Sequence, residues 1–265
     1  MPALRFFPQA HVSGSEGEAK VVANRLASPP GELAVIRQAV EWAIVTRRSA
    51  RAFLPTAVSV ETIESILDVA RYAATGVNIQ PWKVHVVAGQ AKERLCAAIK
   101  RVDDDPDLST NHSDEWDYYP ERWVSPYVDR RRSLGWQLYG LLGIEKGNKP
   151  GMQQQHGRNY LFFDAPVGLL FTVDRVMSEG SLLDYGMFIQ NIMVMARGYG
   201  LSTCPQAAFM KYHTIIEQQL SLAPSEKFLV GMSLGYADES RPENALVSER
   251  EPASSFTCFH GLERA

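Results

Sequence analysis

The sequence predicts a fold that combines helices and strands, of the α+β or α/β class. Apolar residues recur at helical spacing in residues 33–46 and 59–70, which is typical of helices that bury one face. Three short β-rich segments, residues 84–88, 167–173 and 228–234, are bounded by glycine, proline or charged residues, as strands usually are. With 45% hydrophobic residues among 265, the chain is long enough to bury a sizeable core.

The first two predicted helices each have a recognisable apolar stripe. Residues 33–46 place Ile36, Val40 and Ala43 on one face, and this helix ends at a cluster of arginines. Ser59 is a suitable N-cap for the second helix, because its hydroxyl can accept a hydrogen bond from the first turn. The predicted buried stripe of that second helix is Ile63, Ile66, Leu67 and Ala70.

Residues 184–200 predict a helix of another kind, since apolar side chains occur on nearly all of its faces. Such a helix is buried on all sides, either inside a large core or across a subunit interface. The following segment, "LSTCPQAAF", consists mostly of small residues around Pro205. It is either a tight connection or a place where the backbone approaches a ligand closely.

Two further regions differ from the rest in composition. Residues 1–31 are rich in polar residues and end with Pro29, Pro30 and Gly31, which predicts a flexible N-terminal arm. Residues 103–155 are rich in acidic and aromatic residues and predict an insertion in the same domain. Its rings either form a wall for a flat ligand or pack among short helices.

Composition and missing motifs exclude several classes of function. A net charge of −3 argues against nucleic-acid or anionic-membrane partners, which require a broad basic surface. No apolar run is long enough to span a membrane and no secretory leader is recognisable, so a cytoplasmic location is expected. Three distant cysteines and scattered histidines predict neither a disulfide framework nor a metal site. The motifs G-x-G-x-x-G and G-x-x-x-x-G-K-[ST] are absent, which argues against Rossmann or P-loop nucleotide binding. The motif G-x-S-x-G is also absent, which argues against serine hydrolysis.

The most informative motif is "RRSARAF", which begins at Arg47 and is followed about thirty residues later by "NIQPW". Guanidinium is a planar, permanently charged fork that suits a phosphate dianion and the polar edge of a flavin ring. Together the two segments predict a site for flavin mononucleotide (FMN). By itself the arginine cluster could equally be the solvated basic end of a helix.

Four segments in order resemble the FMN-dependent nitroreductase family, and in particular the branch of the nitrobenzoate reductases. They are "RRSARAF", "NIQPW", "QNIMVMARGYGLSTCPQAAF" and "NALVSEREPASSFTCFHG". The resemblance covers about residues 34–262. It implies an α+β sandwich, with a mostly antiparallel central sheet surrounded by helices, formed by a single domain of residues 32–265 in an intertwined homodimer. It also implies that about Ser255–Phe259 crosses to the partner subunit as an edge strand.

The resemblance also assigns site residues. Arg47, Arg48, Ser49 and Arg51 would bind the phosphate, ribityl chain and pyrimidine edge of FMN, with help from Arg250. Ser248 stands two residues before Arg250, where many relatives have a lysine, so phosphate binding would depend more on the N-terminal arginines. The partner subunit would supply Asn78 and Gln80, while Pro205, Gln206 and Ala207 would pass over the flavin. We expect Trp136 and Tyr139 in the substrate pocket, no catalytic acid or base, and no contribution of Arg130 to FMN binding.

The activity implied is reduction of nitroaromatic, quinone or similar electron-poor acceptors by NAD(P)H in a ping-pong mechanism. Two alternatives stay open at this point. One is a flavin-binding storage or sensing protein without turnover. The other is a flavin-fragmenting or dehalogenating enzyme on the same scaffold, although flavin-fragmenting relatives usually have aspartate where this chain has Ala50.

Overall fold

The structure, a computed structural model, describes residues 32–262. These residues divide into two compact units, residues 32–45 and 46–262. The described part of the first unit is helical and belongs to α1, Leu33–Thr46, as the sequence predicts. The predicted N-terminal arm, residues 1–31, lies outside the described residues.

The second unit alternates helices and strands. The helices are α2 (Val60–Ala70), α3 (Gly89–Asp103), α4 (Pro106–Ser109), α5 (Tyr127–Leu141), α6 (Lys149–Gly157), α7 (Gly180–Gly198) and α8 (His213–Leu220). The strands are β1 (Lys83–Ala88), β2 (Val167–Asp174), β3 (Ser202–Gln206) and β4 (Glu226–Gly235). Ser59 caps α2 as predicted, because its hydroxyl oxygen accepts a hydrogen bond of 3.2 Å from the Thr62 amide.

The four strands form one antiparallel sheet in the order β1-β2-β4-β3. Leu169 of β2 pairs with Val86 of β1 on one side and with Met232 of β4 on the other. The predicted α+β class and the predicted antiparallel sheet are therefore confirmed.

Each face of the sheet carries its own hydrophobic core, because successive side chains of a strand point to opposite faces. Leu170 packs with Leu95 and Ile99 of α3 and with residues of α8. Its neighbours Leu169 and Phe171 pack on the other face with residues of α2 and α7. The result is a sheet between two helical layers.

The segment after α7 is a strand and not the tight connection that was one of its two predicted forms. β3 is the edge strand of the sheet, and Pro205 pairs in register with Met232. Proline has no amide hydrogen to donate, so it is tolerated in an edge strand. The predominance of small residues concealed this strand in the sequence.

Two predictions about apolar segments are not met within a single chain. Helix α7 buries one face, while Leu183 on its other side is 73% exposed, so it is not buried on all sides. Among the described C-terminal residues, Ala253–Ser255 forms a 3-10 turn and no strand follows it. Phe256 and Phe259 are largely exposed there.

The aromatic-rich insertion is mainly helical and contains α4, α5 and α6. Its rings form contacts with one another, such as the edge-on pair of Tyr118 and Tyr119 with ring centroids 4.7 Å apart. Within residues 32–262, no helix combines the length and apolar character needed to cross a membrane.

Glu226 at the start of β4 joins three strands through a buried hydrogen-bond network. Its carboxylate accepts hydrogen bonds from the Thr172 hydroxyl at 2.8 Å and from Lys83, and contacts Nε2 of His85 at 2.8 Å. Burial alone would raise the pKa of Glu226, but these bonds outweigh it and lower the pKa to about 2.

We expect Glu226→Gln to lower the free energy of unfolding at pH 7 by ~1–3 kcal/mol, because charge-assisted hydrogen bonds are lost. The folded-state pKa is depressed, so the contribution of Glu226 is complete above about pH 4.5 and is lost as the pH falls toward 2. Urea unfolding curves at several pH values should therefore converge for the two proteins in acid. Glu64→Gln on the exposed side of α2 is the control, and an equal effect of both changes would contradict the assignment.

Candidate active site

The arginine segment is held against the β3 edge of the sheet. Ser49 forms a β-bridge with Thr203, and the amide of Ala50 donates to the Thr203 carbonyl at 3.1 Å. The amide of Arg51 donates to Oδ1 of Asn244 at 2.7 Å. These contacts fix the backbone from which the guanidiniums project.

Asn244 is a positioning residue that sequence reasoning missed. It is only 2% exposed, and its side-chain amide also donates to the Ala52 and Asp238 carbonyls at 2.8 and 2.9 Å. An amide offers both donors and an acceptor, so one side chain satisfies three backbone groups. It is the first residue of the fourth resembling segment, but nothing in one sequence distinguishes it from an ordinary loop asparagine.

The guanidiniums line a cavity of about 810 Å³, the arginine cavity. Five predicted residues meet there, namely Arg47, Arg48, Ser49, Arg51 and Arg250. Helix α5 adds Arg130 and Arg131 to the same wall. Arg130 is expected to make no contribution to FMN binding, and its place on this wall, where it pairs with Glu251, leaves that expectation a prediction.

The cavity has a strong positive character. Burial lowers the pKa of Arg47, and the neighbouring charge of Arg250 lowers it further, which indicates that these two predicted residues are close in space. Arg48 pairs with Glu239, and Arg130 pairs with Glu251 at 2.8 Å. Ser248, which replaces the expected lysine, accepts a hydrogen bond of 2.6 Å from Arg250. A phosphate dianion is the natural complement of such a group.

A second cavity of about 450 Å³, the aromatic cavity, shares Arg51 with the first. The predicted residues Pro205, Gln206, Ala207 and Tyr139 line it. The side chain of Gln206 is fixed inside the protein, since it donates to the Asn159 carbonyl at 2.8 Å and accepts from the Ser233 hydroxyl at 2.7 Å. Further lining residues that the sequence did not single out for this site are Tyr118, Tyr119, His156, Tyr160 and Lys211.

Three predicted site residues lie outside both cavities of the single chain. Trp136 is among them, although its ring packs edge-on against Tyr139. Asn78 and Gln80 lie in an exposed loop and have left-handed backbone angles, with φ values of 62° and 47°. The loop is anchored by Trp82, which stacks on Phe188 with ring centroids 4.6 Å apart.

One cluster has the residue types of a metal site, which the sequence did not predict. Potential ligand atoms of Glu115, His213 and Glu217 lie within 4.8 Å of one another. Arg175 donates to Glu115 and, at 3.4 Å, to Glu217. The guanidinium therefore already supplies positive charge to these carboxylates, and the cluster is explained as an ion-pair network.

Comparisons with known proteins agree with this geometry. Residues 44–236 match the model of the nitroreductase family. The chain is 40% identical over 232 residues to a 4-nitrobenzoate reductase of Pseudomonas putida, covering 88% of this chain and 100% of that relative. It is 38% identical over 214 residues to a nitrobenzene nitroreductase of Ectopseudomonas oleovorans, covering 80% and 93%.

A solved structure has the same fold. It is the FMN and NADPH-dependent nitroreductase NfnB from sphigopyxis sp. strain HMH, at a TM-score of 0.80 and 30% identity. The match covers 84% of this chain and 99% of NfnB. From the matched family model, the sequence identities and the shared fold, the chain belongs to the nitroreductase family.

Proposed function

We propose that the protein is an FMN-dependent oxidoreductase that uses NAD(P)H to reduce nitroaromatic compounds. The observation that carries this proposal is the pair of cavities joined at Arg51, one lined by guanidiniums and the other by aromatic rings. Its relatives are named for reduction of nitrobenzoate and nitrobenzene, and NfnB is described as FMN and NADPH-dependent.

The residues present fit FMN. Its phosphate dianion matches the charge of the arginine cavity. The positive charges of Arg47 and Arg250 repel each other, and an anion bound between them would reduce this repulsion. Its flat ring system matches the aromatic cavity, which residues 205–207 help to line. Arg51 lies on the wall common to both cavities and would contact the polar edge of the ring.

When bound, FMN would supply the redox chemistry that links NAD(P)H to the acceptor. The chain's own contribution is binding and orientation. The positive charge of Arg51 favours negative charge at the adjacent ring edge. Tyr118, Tyr119 and Tyr139 offer faces and edges against which a flat acceptor can pack. No side chain is assigned as a catalytic acid or base.

We also propose a homodimer with the flavin site at its interface. Large apolar side chains are exposed in the single chain, among them Leu183, Phe256 and Phe259. Exposed apolar surface of this kind is typical of subunit interfaces. The strained loop with Asn78 and Gln80 would reach the partner's flavin, which accounts for its position outside both cavities of its own chain.

A flavin-binding protein without turnover is the alternative. The aromatic cavity favours the enzyme, because storage of FMN requires no additional wall of tyrosines for a second flat molecule.

We further propose that quinones serve as acceptors, since a flat electron-poor quinone can pack in the same space.

Arginine variants test the flavin site. We expect Arg48→Ala or Arg51→Ala to weaken FMN binding by ~1.5–3 kcal/mol, roughly ten- to over a hundred-fold in affinity, through the loss of charge-assisted contacts. The measurement is fluorescence titration of apoprotein with FMN. Arg132→Ala is the matched control, since Arg132 is on α5 beside Arg130 and Arg131 but lines neither cavity. An equal loss of FMN affinity on replacing Arg48, Arg51 and Arg132 would mean that the FMN site has been assigned to the wrong residues.

Spectra and steady-state kinetics test the activity. The purified protein should be yellow with one FMN per subunit and should oxidise NADPH or NADH when a nitroaromatic acceptor is present. Because the two substrates would use the same aromatic cavity in turn, double-reciprocal plots at several acceptor concentrations should be parallel. A colourless protein that does not take up FMN would refute the function, and intersecting lines with a ternary complex would refute the shared cavity.

Truncation tests the dimer. Removal of the chain from Ser255 onward should reduce both dimer stability and flavin content, because the exposed Phe256 and Phe259 would be lost from the interface. Sedimentation velocity and the flavin-to-protein absorbance ratio measure the two effects. A fully flavinated monomer at low concentration would contradict the arrangement.

A further inference from the structure

Lys211 is a cation of the aromatic cavity that the proposed mechanism does not use. Its Nζ donates a hydrogen bond of 2.6 Å to the Ser109 hydroxyl and lies 5.3 Å from the centre of the Tyr212 ring. Both partners are neutral. Within residues 32–262, Lys211 forms no ion pair with a carboxylate, so its charge is available to a ligand.

The groups around Lys211 do not neutralise it. Burial is the main cause that lowers the pKa of His156, which disfavours a positive charge on this lining residue. The carboxylate of Asp103 accepts a hydrogen bond of 3.0 Å from the Tyr212 hydroxyl and forms an ion pair with Lys100 at 3.3 Å. Asp114 is the one acid among the residues that line the cavity together with Lys211 and Arg51, and among the described residues it forms no ion pair with Lys211.

The position of Lys211 gives the cavity two complementary features. Tyr118, Tyr119 and Tyr139 suit a flat aromatic ring, while the ammonium group of Lys211 suits an anion attached to that ring. Arg51 is on the wall shared with the arginine cavity and is already assigned to FMN. Lys211 is therefore the cation left for the acceptor.

We propose that Lys211 binds the carboxylate of an aromatic acid, so that nitroaromatic carboxylates are preferred over neutral nitroaromatics. This inference rests on the proposed function and specifies its substrate class. An ammonium group held by a hydroxyl within a partly desolvated cavity forms a charge-assisted hydrogen bond to a carboxylate. A neutral carboxamide of the same shape gains much less from the same group.

The test compares 4-nitrobenzoate with its neutral analogue 4-nitrobenzamide in the flavin-loaded enzyme with NADPH. Lys211→Met should lower kcat/KM for 4-nitrobenzoate by roughly ten- to a hundred-fold, mainly through KM, and leave 4-nitrobenzamide nearly unchanged. Lys211→Arg should retain the preference for the acid. Lys149→Met, which removes an exposed lysine at the start of α6 that lines neither cavity, should behave as the parent protein.

A binding measurement separates recognition from turnover. Benzoate should bind the oxidised enzyme more tightly than benzamide in calorimetric titrations, and Lys211→Met should abolish the difference. If the Met variant loses flavin, Lys211→Gln replaces it, because glutamine can still donate a hydrogen bond in the cavity.

Two outcomes would overturn the inference. One is an equal loss with 4-nitrobenzoate and 4-nitrobenzamide, which would give Lys211 a purely structural role, and the other is no loss with either. Failure of the proposed function would differ, because the parent enzyme would then reduce neither compound.

Discussion

Antiparallel pairing of β2 with β4 is the constraint on which the rest of the structure depends. Seven consecutive residues of β2 are buried, so both faces of the central pair must be covered by helices. This requirement places α2 and α7 on one face and α3 and α8 on the other. The space left for a polar site is at the edge of the sheet, where the arginine segment pairs with β3.

Charge is distributed unevenly between the two cavities. The arginine cavity combines six guanidiniums with three carboxylates, the aromatic cavity is lined mainly by neutral groups, and Arg51 belongs to both. Clustered guanidiniums repel one another, and an anionic ligand that binds only the folded state relieves this repulsion. In this fold, FMN would therefore contribute to stability as well as to chemistry.

The sequence predicted those features of the fold and the site that local patterns of residues determine. The Ser59 cap, the strands β1, β2 and β4 and the arginine motif are all encoded within a few residues. It did not predict β3, because an edge strand of small residues around Pro205 has no apolar alternation. The sequence also did not predict hydrogen bonds between residues that are far apart in the chain. Examples are Asn244 with Arg51, and Lys211 with Ser109, which is 102 residues earlier. The sequence placed both Tyr139 and Trp136 in the substrate pocket, but only the tertiary fold shows that Tyr139 lines the cavity with Tyr118 and Tyr119 while Trp136 does not.

The hydrogen bond between Asn244 and the Arg51 amide spans 193 residues, and this separation has a consequence for synthesis. Proteins are made from the N-terminus, and contacts between distant parts of a chain form only when both parts are available. The arginine motif leaves the ribosome well before Asn244, so this hydrogen bond cannot hold its backbone until the 193 residues after Arg51 have been made. Binding of a cofactor that needs this fixed backbone would therefore follow the synthesis of Asn244.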